Sequence, residues 1–184
     1  MTPKRIFIGS FIHGNDIFQL YNEVQKILTP VIFKAKWTRQ PENLHITFHF
    51  IGEMPNNEIL KLKNVLQPVL ETNYPVDLHL NGLKYFKRKN KPSVLYINVD
   101  DQGQVLQNIY RQIQIILFEN GFIDQPRIHF KPHITLARIK RVTPDFYQAV
   151  ENINVDIHYT KPIKIQIIES ILQPEGAIYK ELKF

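Results

Sequence analysis

Two segments of the chain, NLHITFHFIG (residues 43–52) and KPHITLARIK (residues 131–140), each set a histidine and a threonine two residues apart inside an apolar run. In an extended strand successive side chains point to opposite faces, so His45, Thr47 and His49 share one face while Ile46, Phe48 and Phe50 share the other. The second copy behaves alike, with His133 and Thr135 opposite Ile134 and Leu136. Each strand must therefore bury one face and leave an imidazole and a hydroxyl together on the other. A lone pair of this kind reads as the wet side of a half-buried sheet. One in each half of the chain calls for two similar lobes, related by an approximate twofold, whose polar strand faces line a common cleft.

The rest of the chain supplies the elements for such a fold. Short β-branched and aromatic runs predict strands at 4–9, 31–36, 44–51, 76–85, 93–99, 133–140 and 162–172. Apolar residues at three-to-four spacing predict helices at 16–28, 57–70, 104–120 and 143–153. The last of these opens with Thr143 as N-cap and Pro144 in the first turn. No Pro/Gly/Ser-rich linker or low-complexity tract divides the 184 residues, so residues 1–184 read as a single domain. The expected class is α+β and bilobal: two pseudo-symmetric mixed or antiparallel sheets flank a central cleft, with the helices outside.

Composition narrows the setting. The apolar runs are far shorter than the roughly 20 residues of a membrane span, so no membrane segment is expected. The chain has no cysteine, which excludes disulfides, thiolate metal sites and a cysteine nucleophile and fits a reducing compartment, read here as the cytoplasm. A net charge of +6 favours anionic partners. The charge is concentrated in KYFKRKNK (residues 84–91), where five basic residues and two aromatics suit either phosphate contact and base stacking or a solvated hairpin tip.

Two imidazoles and two hydroxyls converging on one cleft suit in-line displacement at phosphorus. One neutral imidazole takes a proton from the attacking oxygen, one imidazolium gives a proton to the leaving oxygen, and the hydroxyls hold the non-bridging oxygens. Histidine fits both tasks because its ordinary pKa of about 6.5 keeps both protonation states within reach near neutrality. A metal site is the rival chemistry, since His45/His49 and His129/His133 stand four residues apart. In strands such residues lie roughly 13 Å apart, and no carboxylate accompanies them. No metal or other cofactor is expected, and His49 and His129 read as strand-face or rim residues.

HITF (45–48) and HITL (133–136) resemble the paired motifs of the two-histidine phosphoesterase superfamily. NLHITFHFIGE, KPHITLAR and the C-terminal ESILQPEGAIYKEL (169–182) are similar to its RNA 2',3'-cyclic phosphodiesterase branch, the 2'-5' RNA ligase-like proteins. The resemblance implies a basic cleft without metal that opens a terminal 2',3'-cyclic phosphate of RNA or of a nucleoside to a 2'-phosphate. It implies catalytic roles for His45, as acid towards the 3'-oxygen, and His133, as base towards water. It implies phosphate contacts from Thr47, Thr135 and Arg138. Strict alternation puts Arg138 opposite His133, so a bulge or a strand end must re-aim it. Two alternatives stay open: a phosphodiesterase acting on 2'-5' linked oligonucleotides or an ADP-ribose cyclic phosphate, and a non-catalytic RNA-binding module. A monomer is expected. Trp37 reads as a packing residue, Gly82 and Gly176 as turn residues, and His13, His79 and His158 as structural or exposed.

Overall fold

The computed structural model describes residues 2–184. Eleven strands and four helices follow one another as β1 (Lys4–Phe11), α1 (Asn15–Leu28), β2 (Lys34–Trp37), β3 (His45–Met54), α2 (Asn56–Leu70), β4 (Asn73–Tyr74), β5 (Leu78–Arg88), β6 (Lys91–Asp101), α3 (Val105–Glu119), β7 (His133–Arg141), α4 (Phe146–Glu151), β8 (Asp156–Tyr159), β9 (Ile163–Lys164), β10 (Gln166–Ile171) and β11 (Ile178–Glu181). The main sheet runs β11-β10-β1-β3-β7-β6-β5-β8, with β2 added to β7, and β4 and β9 form a small ribbon. All pairings are antiparallel.

The two halves meet where the sequence repeats itself. β3 and β7 are joined by a single register pair, Ile46 with Ile134, each residue lying between the histidine and threonine of its motif. Both isoleucines are fully buried. Around this seam the sheet divides into β11-β10-β1-β3 on one side and β7-β6-β5-β8 on the other, the two expected lobes fused edge to edge. The helices bury their apolar stripes: Ile17, Leu20 and Val24 of α1, Ile59, Leu62 and Leu66 of α2, and Leu106, Ile109, Ile113 and Leu117 of α3. α3 lies on β3 and β6 and packs beside α2, while α4 packs beside α1 and β5. No helix among the described residues is long and apolar enough to cross a membrane.

Several local expectations change. The run at 162–172 is split into β9 and β10, and 31–36 is a strand only from Lys34, because Thr29–Val31 closes α1 with a 3-10 turn. The fourth helix is shorter than its pattern: it starts at Phe146 with Asp145 as N-cap, and Thr143 contributes its carbonyl to the Phe146 N–H while its buried hydroxyl has no partner among the described residues. Gly82 lies in β5, not in a turn; its φ of +82° and the register shift between Leu80 and Leu83 mark a bulge, a backbone conformation that glycine adopts without a Cβ penalty. Gly176 does serve a turn, its N–H donating to the Gln173 carbonyl. The basic segment is the β5–β6 hairpin, turning at Lys89 and Asn90 with φ of 50° and 59°, the signature of a two-residue type I' loop.

Candidate active site

The single pair at the seam sets the geometry. Extending the Ile46/Ile134 register by one residue each way puts His45 beside Thr135 and Thr47 beside His133, all on the face opposite the buried isoleucines. In an antiparallel pair the diagonal neighbours, here the two histidines, stand about 7–8 Å apart, a gap that a phosphate group spans.

Each histidine is held in the same way. His45 Nδ1 lies 2.6 Å from the carbonyl oxygen of Asn43, and His133 Nδ1 lies 2.8 Å from that of Lys131. In both cases Nδ1–H donates to the carbonyl two residues earlier, which fixes the tautomer and leaves Nε2 free. Aromatic rings brace the imidazoles: Phe7 and Tyr179 around His45 at 4.8 and 4.6 Å between centroids, Phe86 and Tyr96 around His133 at 5.1 and 5.3 Å. The Asn43 side chain also accepts the Tyr179 N–H at 3.1 Å, so one buried residue places both His45 and its neighbouring ring. His45 is buried and His133 half-buried.

A bulge in each strand re-aims the residues beyond its motif. In β3, Gly9 pairs with Thr47 and Ile8 with His49, leaving Phe48 as the extra residue. In β7, Tyr96 pairs with Thr135 and Leu95 with Ala137, leaving Leu136 as the extra residue. The alternation restarts one residue late in both strands. Arg138 therefore comes round to the face of His133 and Thr135 and lines the cleft with them, as its expected role requires. At the corresponding position of β3 the half-exposed Phe50 reaches the cleft, with the Arg5 guanidinium 4.7 Å above its ring.

The same bulge changes the setting of His49. It is a buried residue of the cleft lining that is bonded to α3: His49 Nδ1 accepts from Gln114 Nε2 at 2.8 Å, and Gln114 Oε1 accepts the Arg127 N–H at 3.1 Å. This relay ties β3, α3 and the segment leading to the second motif into one unit. His49→Ala leaves the buried Gln114 amide without its partner, so the urea midpoint is expected to fall by the equivalent of about 1–3 kcal/mol. Amide exchange around Arg127 should rise with it, and an unchanged midpoint would contradict this role. His129 does sit on the rim, exposed at the cleft edge. Trp37 packs edge-on to Tyr21, as a packing residue should.

The cleft has a volume of about 490 Å³, and its lining carries four cations, Arg5, Arg127, Lys131 and Arg138, and no carboxylate. Lys131 Nζ donates to the Tyr96 hydroxyl at 2.8 Å and lies 5.5 Å from the Phe86 ring centroid. An adjoining hollow of about 360 Å³ shares Arg5, Thr135, Arg138 and Tyr179 and extends to Lys36 and Trp37. Burial pushes the His45 pKa down to about 4, with smaller contributions from His133 and Arg138. Burial also lowers that of His133, helped by Lys131 and Arg138. The site is thus an electropositive basin of neutral imidazoles awaiting an anion.

Sequence reasoning missed several residues here. Arg5, whose buried Nε has no partner among the described residues, is hidden in an ordinary basic start to a strand. Tyr179 lies in the C-terminal segment, and Asn43 and Lys131 act through backbone carbonyls, which residue type does not disclose. The repeated offset of two residues before each histidine is the available signal.

The comparisons agree with the geometry. The family model described as "AKAP7 2'5' RNA ligase-like domain" matches residues 7–164. A protein of Aeropyrum pernix named RNA 2',3'-cyclic phosphodiesterase is 31% identical over 148 residues, 79% of this chain and 82% of its own. One of the same name from Aquifex aeolicus is 28% identical over 97% of this chain and 95% of its own. Among solved structures, TT0787 of Thermus thermophilus superposes with a TM-score of 0.73 at 23% identity, covering 97% of this chain and 95% of that one. Escherichia coli LigT complexed with 3'-AMP gives 0.65 at 18% identity, covering 100% and 96%. With the family model spanning both motifs and most of the chain between and around them, this protein belongs to the AKAP7 2'5' RNA ligase-like domain family, within the two-histidine phosphoesterases.

Proposed function

We propose that the chain hydrolyses terminal 2',3'-cyclic phosphates of RNA or of nucleosides to 2'-phosphates, without a metal, by acid-base catalysis from His45 and His133. The observation that carries this reading is the matched pair of Nδ1 hydrogen bonds to the carbonyls of Asn43 and Lys131. A site that only binds phosphate has no need of two imidazoles locked in one tautomer with both Nε2 atoms free. The relatives' shared name, RNA 2',3'-cyclic phosphodiesterase, supports the general activity.

In this mechanism His133 Nε2 takes a proton from water, whose oxygen attacks phosphorus in line with the bond to the 3'-oxygen. That bond breaks, and His45 Nε2–H gives its proton to the departing 3'-oxygen. The product is a 2'-phosphomonoester with a free 3'-hydroxyl, and exchange with solvent restores both histidines. Thr47, Thr135 and Arg138 hold the non-bridging oxygens as charge moves onto them. The assignment of acid and base follows the family resemblance, and burial supports it: His133 is the more open of the two, where water must enter, and His45 the more enclosed.

The lowered His45 pKa sets a condition on the acid. In the free protein near neutrality His45 is neutral, because burial and the neighbouring cation disfavour its charge. A phosphodiester supplies the negative charge the cleft lacks, raises both histidine pKa values and lets His45 take up a proton as substrate binds. The acid and base titrate as a coupled pair. The free-enzyme limbs of the bell-shaped profile of kcat/KM then lie on the acid side of where two ordinary histidines would put them.

The chain is taken to work as one bilobal unit, a cytoplasmic monomer whose partners are RNA ends or nucleoside 2',3'-cyclic phosphates. Incubation in EDTA with cyclic phosphates, 2'-5' linked oligonucleotides and an ADP-ribose cyclic phosphate tests this reading. Full turnover of the 2',3'-cyclic phosphates in chelator is expected, because the cleft lining offers no carboxylate or thiolate to hold a metal. Loss on chelation with recovery on adding manganese or zinc, or turnover confined to the other substrates, would overturn it.

A further inference from the structure

Three strands away from β7, at the free edge of the sheet, the fold assembles a second histidine cluster. His79 of β5 pairs in register with His158 of β8, and the two rings stack with centroids 4.7 Å apart and planes 2° from parallel. Asp156, two residues before His158 and so on the same strand face, accepts a hydrogen bond from His79 Nε2 at 2.6 Å. One nitrogen or oxygen from each of the three side chains falls within 4.8 Å of the others. His79 and His158, which read as structural or exposed in the sequence, are half-buried and exposed respectively, and the ladder makes them partners. Among the described residues the His158 ring nitrogens have no hydrogen-bond partner, and the cluster opens to solvent.

We propose that His79, Asp156 and His158 bind a divalent first-row transition ion, with zinc as its best fit. Two strand neighbours at i and i+2 plus the residue directly across the ladder bring one donor atom each to within 4.8 Å of one another, and the two rings, stacked in parallel as they stand, turn out of the stack to share an ion. Two imidazoles and a carboxylate are a donor set that zinc accepts, with a fourth position left to water. Bonds of about 2.0–2.1 Å to a tetrahedral ion put its ligands about 3.3 Å apart. The His79–Asp156 pair is now closer than this, held by a proton, and an ion that replaces the proton releases it to solvent. The exposed His158 ring makes the remaining adjustment.

The same register shows what the ion would and would not do. Asn98 pairs with His133, the Asn98 amide donates to Asn81, and Asn81 pairs with Asp156, so the cluster lies on the cleft face of the sheet. Two strand spacings nevertheless separate His79 from β7 and three separate Asp156 and His158 from it, roughly 10 and 14 Å, too far for a bound ion to touch the reacting phosphate. Its effect is on the edge: among the described residues β8 pairs only with β5, and an ion held by both strands clamps it there. The site is thus independent of the proposed reaction, and stripping the ion should leave turnover intact.

Titration of zinc into the tag-free, metal-stripped full chain, followed by calorimetry in two buffers of different ionisation enthalpy, tests the proposal. One saturating equivalent, proton release and a rise in Tm are expected. His158→Gln and His79→Ala each remove a ligand, so each should weaken binding by at least the roughly 10–100-fold that loss of a mere outer-shell partner costs and abolish the rise in Tm. Cobalt should give visible absorption bands of an imidazole-ligated ion that both variants lose. Absence of saturable binding, binding unchanged in both variants, or binding lost in His45→Ala or His133→Ala instead would overturn it.

Discussion

His45→Ala and His133→Ala are each expected to lower turnover of a 2',3'-cyclic phosphate by about 10²–10⁴, the usual scale for losing a general acid or base. The loss should fall on kcat, since in the proposed mechanism Thr47, Thr135 and Arg138 are left to hold the phosphate. Neither variant should unfold. His45 is buried against aromatic rings, and its folded pKa lies at about 4, below the ordinary 6.5. Between those values the unfolded chain binds the proton that the folded chain refuses, so wild-type stability falls as pH drops from about 6.5 towards 4. His45→Ala removes that term and should be less acid-sensitive than wild type, as urea midpoints at pH 7 and pH 4.5 will report. A variant that keeps near-wild-type turnover takes its histidine out of the mechanism.

Arg138→Ala should cost about 10²–10³ in turnover, as does removal of a charge-stabilising donor from an anionic transition state. It carries a second signature that a merely structural arginine would lack. The guanidinium lowers the pKa of both His45 and His133, so its removal raises both. The free-enzyme pH–rate profile should move to higher pH as the maximum drops. Arg138→Lys keeps the charge and loses the planar fork, so it should recover most of the pH position and only part of the rate. A profile that drops without moving would show that Arg138 does not face the histidines electrostatically.

The motifs are legible because period-two alternation is a local property: HIT twice, each with a buried isoleucine between its polar residues, is enough to anticipate two strands and a shared cleft. The same rule misleads one step further along. Alternation puts His49 beside His45 and Arg138 away from His133. The extra residues Phe48 and Leu136 reverse both, because a bulge is set by pairing with β1 and β6, which β3 and β7 alone do not reveal. Family resemblance points Arg138 at the phosphate, and only the bulge explains how the strand can present it there. β8 and β11 escape notice because they are four-residue edge strands without an apolar run: DIHY buries only one side, and IYKE buries no residue fully. Missing β8 means missing the partnership of His79 and His158, which exists only across that ladder.

The two-imidazole mechanism is tested most directly by the position of the phosphate in the product. Phosphorus NMR of a nucleoside 2',3'-cyclic phosphate incubated with the protein in EDTA should show the 2'-phosphate alone, growing with wild type and absent over the same period with His45→Ala or His133→Ala. A 3'-phosphate product would reverse the roles along the scissile bond. A 2'-phosphate formed equally well by either variant would contradict the mechanism itself.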